Sequence, residues 1–278
     1  TTAPTTTVDI TGISLDSGVG GDFITNDNNG LTISATLSAA LATGEKLFYS
    51  RDNGVTWTDI TGSVTGTAVS AVDSQLTSTS TIQMQVRDAA GNAGASDTQL
   101  VTIDTTAPSQ ETTDPLNPAA GKASLVLDAV TADNIVNSAE GAQANVAITG
   151  KARGEFTNGD IVTLTVNGKT FTGAVNAQGV FSINVPGSDL LADGDKTIDA
   201  SLAAKDAAGN TGTVSASKLY DTDTTAPTTT VDITAISTDS GVSTTDFITN
   251  DNNGLTVSAT LSTALATGEK LIYSKDNG

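Results

Sequence analysis

A short linker that recurs along the chain constrains its architecture more than any other feature. Residues 104–108 read Asp-Thr-Thr-Ala-Pro, residues 223–227 repeat this text, and residues 1–4 carry its last four letters. Proline fixes its own φ and restricts the residue before it, so each copy predicts an extended crossing. The prolines of successive copies are separated by 104 and 119 positions. Either interval is long enough for a domain with its own core.

The text after the linker also repeats. Residues 1–54 return as residues 224–278 with one inserted residue, and the copy stops about halfway through the unit. We therefore predict a first repeat at 1–106, a second at 107–224 and the N-terminal half of a third at 225–278. We expect the chain to be a piece of a longer array. We also expect the half repeat to be poorly ordered alone, because its strands and core lack partners.

Alternation of apolar and polar residues predicts an all-β fold. Residues 31–37 and 82–87 alternate with period two. Further strands are predicted at 162–166, 169–172, 180–185 and 198–203. Asn167-Gly168 predicts a two-residue hairpin turn, and residues 38–41 one helical turn at most. Many short strands joined by Gly, Asn and Asp turns favour tandem immunoglobulin-like β-sandwiches in a linear, rod-like array.

Composition limits what the cores and surfaces can do. Only 4% of the residues are aromatic, and we expect Phe48 and Trp57 in the first core and Phe171 and Phe181 in the second. Cysteine is absent, so no disulfide braces the domains. Histidine is absent too, which removes the usual proton shuttle and the commonest zinc ligand.

The charge balance is strongly acidic, with 12 Lys and Arg against 31 Asp and Glu, a net charge of −19. Nucleic acid and anionic lipid need a basic surface, so neither is an expected partner. The sequence contains no apolar run of about 18 residues, so insertion into a membrane is not predicted. The expected partners are neighbouring repeats of the same chain, with no small-molecule substrate, and the chain is expected to be monomeric. The charge serves solubility, or bound divalent cations offset part of it.

Acidic residues gather in three kinds of loop: after the first strand of each repeat, in the linkers, and in an Asp-Ala-Ala-Gly-Asn motif before the last strand. In an immunoglobulin-like sandwich, the first-strand loop lies at the pole where the chain leaves, and the loop before the last strand lies at the pole where it enters. The first-strand loop of one repeat, the linker and the motif of the next repeat should therefore meet at one joint. Ca²⁺ takes about six to eight oxygen ligands in such places. Ordinary turn formation by Asp, Asn and Gly is the competing interpretation.

Several motifs together resemble a known family. They are the Asp-Thr-Thr-Ala-Pro linkers, Ile-Thr-Asn-Asp-Asn at 24–28, Val-Asn-Gly-Lys-Thr-Phe-Thr-Gly at 166–173, and Asp-Ala-Ala-Gly-Asn at 88–92 and 206–210. The chain resembles the bacterial Ig-like (BIg) repeats of giant, type I-secreted, non-fimbrial adhesins of Gram-negative bacteria. Its second repeat is also similar to the extender repeats of RTX-type adhesins. The resemblance implies extracellular display on the bacterial cell surface and Ca²⁺ at the joints between domains.

The resemblance also implies ligand roles at these joints. At the first joint the implied ligands are Asp16, Asp22, Asp27, Asp104, Asp206 and Asn210. At the second joint they are Asp133, Glu140, Asp221 and Asp223, while Asp88 and Asn92 face a preceding domain.

Two functions follow as hypotheses. The first is a calcium-rigidified structural spacer, or extender, of a large surface adhesin that mediates cell adhesion or biofilm formation. The alternative is a carbohydrate- or surface-binding Ig-like module, which an exposed aromatic platform would favour. An enzyme is not expected, because no catalytic constellation is evident.

One motif invites an enzymatic interpretation. Residues 50–57 resemble the Asp-box of sialidases, which in that context is a folded hairpin away from catalysis. A sialidase also needs an arginine cluster, whereas the only arginines here are Arg51, Arg87 and Arg153, spread over two domains. The structural interpretation of the motif is therefore favoured.

Overall fold

The fold is all-β, as the alternation predicts. The computed structural model describes residues 2–276 and forms two compact units, Thr1–Asp223 and Thr224–Gly278. The first compact unit contains two separate hydrophobic cores, and each core lies inside a two-layer sandwich. The α-helices within residues 2–276 are single turns of 4 and 6 residues. Residues 38–39 form a bend and residues 40–41 are irregular, so the helical turn predicted as the most that residues 38–41 could form is not present there.

The first sandwich is built from nine strands. They are β1 (Val8–Ile13), β2 (Ile24–Thr25), β3 (Leu31–Leu37), β4 (Lys46–Ser50), β5 (Thr58–Asp59), β6 (Val64–Thr65), β7 (Ala68–Asp73), β8 (Ser80–Arg87) and β9 (Ala93–Ile103). One sheet has the order β1-β3-β7-β6, and the other has the order β2-β9-β8-β4-β5. The first strand thus divides between the sheets, because β2 crosses over to pair in parallel with the end of β9. This arrangement is typical of immunoglobulin-like domains.

The second sandwich repeats this plan and adds two short helices. Its elements are β10 (Ser109–Gln110), β11 (Lys122–Leu127), β12 (Ile135–Asn137), α1 (Ser138–Gly141), β13 (Val146–Gly154), β14 (Ile161–Val166), β15 (Lys169–Ala174), β16 (Val180–Val185), α2 (Gly187–Ala192), β17 (Thr197–Lys205), β18 (Thr211–Leu219) and β19 (Asp221–Asp223). Its sheets have the orders β10-β11-β13-β16 and β15-β14-β17-β18. As in the first sandwich, a short strand after the first one, β12, pairs in parallel with the exit strand β19. The hairpin turn at Asn167-Gly168 is confirmed, since both residues have positive φ and Val166 pairs with Lys169.

The expected core rings are confirmed in the second sandwich and wrong in the first. Phe181 is fully buried, and Phe171 is partly buried against the same core. In β4, however, Leu47 and Tyr49 point inward, so strand alternation turns Phe48 to the outer face. Trp57 also stays half-buried outside the core. Aliphatic residues, Met84 and two other rings, Phe23 and Tyr49, form this core instead.

The third repeat forms one antiparallel pair, β20 (Val231–Ile236) with β21 (Val257–Leu261). The pair reproduces the register and the bulge of β1 with β3. Its apolar face lacks the cover that the first sandwich supplies: Val231 is 51% exposed, whereas its counterpart Val8 is 7% exposed. That this repeat is poorly ordered alone stays a prediction.

Glu111 organises the entry of the second sandwich. Its carboxylate is buried and accepts hydrogen bonds from the backbone N–H groups of Thr113 at 2.7 Å and Ala119 at 3.2 Å, with the Lys122 ammonium at 3.5 Å. The Thr113 N–H, followed by that of Ala119, lowers the Glu111 pKa from 4.5 to about 2. A lowered folded-state pKa gives stability that is present above pH 4.5 and is lost as the pH falls towards 2.

We expect Glu111→Gln to destabilise the second sandwich at pH 7, because the amide can accept from only one of the two backbone N–H groups and turns its own NH2 donor towards the other. The difference in unfolding free energy between the variant and the unsubstituted chain should be smaller near pH 2. At that pH the native Glu111 carboxyl is itself becoming protonated. Urea denaturation of both proteins at the two pH values measures this difference. An equal loss at both pH values would show that the ionised Glu111 carboxylate is not the source of the stabilisation.

Candidate interdomain joint

The linker leaves the first sandwich against the first-strand loop. Thr102 N–H donates to the Phe23 carbonyl at 3.0 Å, and Asp104 N–H donates to the Thr25 carbonyl at 2.9 Å. These bonds continue the β2–β9 pairing into residue 104. The first-strand loop, residues 14–30, and Asp104 therefore share the exit pole, as the topology predicts.

Hydroxyl groups brace this loop from within. Thr25 is fully buried, and its Oγ1 donates to the Leu15 carbonyl at 2.5 Å while it accepts from Asp27 N–H at 3.0 Å. Ser17 Oγ accepts from Asn26 N–H at 2.8 Å. The third repeat has the same bracing, since Thr249 and Ser240 make the corresponding bonds.

Direct contacts join this pole to the second sandwich. Ser17 Oγ donates to the Ala208 carbonyl at 2.5 Å. From the other side, Asn210 Nδ2 donates to the Asp104 carbonyl at 2.9 Å. Gly18 lies so close that a Cβ on it would be 2.0 Å from the Ala207 carbonyl oxygen. The loop, the linker and the second Asp-Ala-Ala-Gly-Asn motif therefore meet at one joint.

The end of the linker packs against β18 of the second sandwich. Pro108 is buried, and a Cβ on Gly212 would be 1.8 Å from the Pro108 carbonyl oxygen. Gln110 adds a side-chain bond, because its Oε1 accepts from Ser215 N–H at 2.6 Å. The linker is therefore held at both of its ends.

The Asp-Ala-Ala-Gly-Asn motif closes on itself. Asp206 is buried, and its two carboxylate oxygens accept from the N–H and the side-chain amide of Asn210 at 2.8 and 2.9 Å. Asp88 and Asn92 make the same pair of bonds at 2.8 and 2.7 Å. The Asn92 amide is the main reason that the pKa of Asp88 lies below its usual value. Turn formation thus accounts for both acids of this motif.

Three more acids of the first joint cap local turns. Asp22 accepts from Ile24 N–H at 3.0 Å, Asp27 from Asn29 N–H at 2.9 Å, and Asp104 from Thr106 N–H at 2.9 Å. Each bond spans two residues, which is the geometry of an Asx turn. These carboxylates do not hold the two sandwiches together in the structure.

Asp16 differs from the other acids of the joint. Its Oδ2 accepts from Gly21 N–H at 2.7 Å, but its Oδ1 is buried and has no hydrogen-bond partner within residues 2–276. Its counterpart in the third repeat, Asp239, has the same buried and unpartnered Oδ1. An unpaired buried carboxylate oxygen is costly, so both loops favour an added cation or donor at this atom.

The acids that we assigned to the second joint lie at the exit pole of the second sandwich. Asp133 accepts from Ile135 N–H at 3.1 Å and from the Thr131 hydroxyl at 3.0 Å. The Ile135 bond is the main cause of the lowered Asp133 pKa. Glu140 accepts from Asn137 N–H at 3.0 Å in a capping box that begins α1. Asp221 and Asp223 lie on β19.

The carboxylate ligand set that the resemblance implies stays a prediction. Within residues 2–276, no three acidic side chains are close enough together to hold one metal ion. Asp16 is the acid of this joint that best fits an added cation, because its Oδ1 is a buried anionic oxygen with no hydrogen-bond partner within residues 2–276. No helix within residues 2–276 has the length and apolar character to cross a membrane.

Sequence reasoning missed Ser17 and Gly18, which make the contacts across the joint. Small residues in a turn-rich loop carry no chemical signature, since Ser and Gly are ordinary turn formers. Their recurrence as Ser240 and Gly241 in the third repeat was visible in the sequence, but so was the recurrence of the whole loop.

We expect Gly18→Ala to separate the two sandwiches without unfolding either one, because the new Cβ collides with backbone and Gly18 has a φ of +80°. Gly20→Ala is the matched control, since nothing lies within 4 Å of a Cβ there. Proteolysis at residues 104–108 should accelerate in Gly18→Ala alone, with unchanged circular dichroism. Equal cleavage rates in the two variants would show that this contact does not hold the joint.

No protein-family model matches the chain, and no curated protein matches it. Solved structures do. A bacterial immunoglobulin-like domain from the M. primoryensis ice-binding adhesin is 40% identical over 38% of this chain and 100% of that domain, with a TM-score of 0.34. A structure from a Ca²⁺-stabilised adhesin of an Antarctic bacterium is 32% identical over 86% of this chain and 53% of that one, with a TM-score of 0.42.

A third structure, from a 1.5-MDa bacterial ice-binding adhesin, is 28% identical over 79% of this chain and 65% of that one, with a TM-score of 0.43. This chain therefore spans only part of the two longer structures. All three TM-scores are low, and the assignment rests on the 40% identity over a complete domain. By that identity, the chain belongs to the bacterial immunoglobulin-like domain family.

Proposed function

We propose that the chain is a spacer, or extender, segment of a large bacterial surface adhesin. The observation that carries the proposal is the joint. There, Ser17, Gly18 and Asp104 contact the turn at residues 206–210, which lies at the entry pole of the second sandwich. Contacts of this kind, made through the backbone and the linker, limit the orientation of one sandwich relative to the next. The similar domains come from adhesins, which supports the same role here.

Calcium is the second part of the proposal. One similar structure is described as Ca²⁺-stabilised. In this chain, Asp16 of the first-strand loop would hold the ion through Oδ1, with carbonyl and hydroxyl oxygens completing the shell. The ion would supply positive charge beside the joint of a chain with a net charge of −19. Without it, carboxylate repulsion favours a looser joint.

The remaining features of the proposal follow from this role. Repeat boundaries near residues 106 and 224 give each sandwich one linker, and neighbouring repeats are the partners. Secretion to the surface of a Gram-negative cell, and a role in adhesion or biofilm formation, belong to the parent protein. No catalysis is assigned to these domains.

Small-angle X-ray scattering of the chain in calcium and in chelator tests the spacer mechanism. We expect a larger maximum dimension and a narrower distance distribution in calcium, because the joint then has fewer orientations. The same scattering curve under both conditions would exclude calcium as the stiffening agent and would leave the direct contacts as its cause.

We expect Asp16→Asn to abolish most of the thermal stabilisation by calcium of the first sandwich. For a dissociation constant of about 10⁻⁴–10⁻³ M, 10 mM calcium stabilises the folded state by about 1.4–2.7 kcal/mol. Asp9→Asn is the matched control, because it removes the same charge from an exposed position on β1. Melting curves with and without calcium measure both variants. If Asp9→Asn and Asp16→Asn lose the same stabilisation, the effect is general charge screening.

A further inference from the structure

The outer face of β4, β5 and β8 carries an unusual group of side chains for an acidic spacer. Phe48 and Trp57 are half-buried there instead of lying in the core, and Arg87 is placed over both rings. Lys46 and Gln85 complete the group, which we call the outer platform. The spacer role uses none of these five residues.

Stacking on the two rings does not use the in-plane N–H donors of the Arg87 guanidinium. Its Cζ is 4.5 Å from the Phe48 ring centroid and 4.9 Å from the Trp57 ring centroid. Gln85, with its amide oxygen turned towards the guanidinium, accepts from Nη2 at 2.6 Å and from Nε at 3.2 Å. The other in-plane N–H groups have no protein partner within residues 2–276. A stacked guanidinium with a free edge can bind a carboxylate through two parallel bonds.

The Asp-box holds the tryptophan of the platform in place. Trp57 Nε1 donates to the Gly54 carbonyl at 2.9 Å. Asp52 closes the turn by accepting from Thr56 N–H at 2.8 Å and from the Thr56 hydroxyl at 2.6 Å. The Thr56 hydroxyl is the main cause of lowering the Asp52 pKa to about 2, so the turn stays closed across neutral pH. A ring fixed in advance binds a ligand with little further loss of entropy.

Charge distinguishes this face from the rest of the repeat. Residues 1–106 contain three basic residues, Lys46, Arg51 and Arg87, against eleven acidic ones. Lys46 and Arg87 are cross-strand partners on the platform. Lys46 also pairs with Asp59 at 2.7 Å, but both side chains are exposed and such pairs contribute little. With Asp59 counted, this face has two basic side chains and one acidic one, so it is less acidic than the rest of the repeat.

We propose that the outer platform binds saccharides that carry a carboxylate, such as a uronic acid unit. The carboxylate of the sugar meets the free edge of Arg87 with Lys46 beside it, and the sugar ring packs against those parts of Phe48 and Trp57 that the guanidinium leaves uncovered. A neutral sugar leaves the cationic edge unused.

The third repeat supplies a natural substitution for the test. Its residue at the Phe48 position is Ile272, while Lys270 and Tyr273 retain the flanking residues. Phe48→Ile is therefore a change that a near-copy of this strand already carries. Leu100→Ala is the matched control, because it removes an exposed apolar side chain from β9 of the same sheet.

Trp57 is the only tryptophan of the chain, so its fluorescence reports on the platform directly. We expect oligogalacturonate to change this fluorescence saturably, with galactose oligomers of equal length binding at least about tenfold more weakly. Phe48→Ile should weaken binding by about tenfold, as one lost aromatic contact predicts. Leu100→Ala should bind like the unsubstituted chain.

Three outcomes would overturn the proposal. They are no saturable change with oligogalacturonate, equal binding of the neutral oligomer, and equal binding of polyglutamate, which has the charge without the sugar ring. If Phe48→Ile does not fold, Lys46→Gln replaces it, since Lys46 is exposed, and unchanged affinity in that variant would also overturn the proposal. The joint plays no part in this test, so the spacer proposal stands or falls separately.

Discussion

The approach of two backbones at Gly18 and Gly209 is the constraint on which the joint depends. A Cβ on either glycine would lie 3.0 Å or less from backbone atoms of the other sandwich, and both residues have positive φ. The hydrogen bonds of Ser17 and Asn210 form only because the two turns can come this close. Most of the specific contact across the joint is therefore made to carbonyl groups, which every residue possesses.

Strand positions could be predicted because period two and burial agree. β3 and β16 have the bounds that their alternation predicts, and the Asn167-Gly168 turn follows from the φ that its residues tolerate. The core of the first sandwich could not be predicted as well. Ring content suggested Phe48 and Trp57, but which residues of β4 face inward depends on the parity of the strand, and Leu47 and Tyr49 occupy the inner positions.

Topology predicted which loops meet at the joint, but not which atoms make the contact. The sequence shows the carboxylates but not the positions of the carbonyl groups, so it indicated the acids and Asn210 but not Ser17 and Gly18, which contact the turn of the second sandwich. Three acids of the first joint cap turns two residues away, a local role that the sequence could not separate from metal binding. Asp16 stands apart only through the burial of one oxygen atom, which no pattern of residues reveals.

The turn formed by Asp88 and Asn92 has the same bonds as the turn that receives the first-strand loop in the second sandwich. The first repeat thus carries, at opposite poles, both halves of one coupling. A duplicated copy of it could follow the original without any new interface having to evolve, since the contact needs a short turn and little side-chain identity. Recombination between such copies would change the number of units while keeping every junction intact, so the reach of the array can vary in evolution more easily than its couplings.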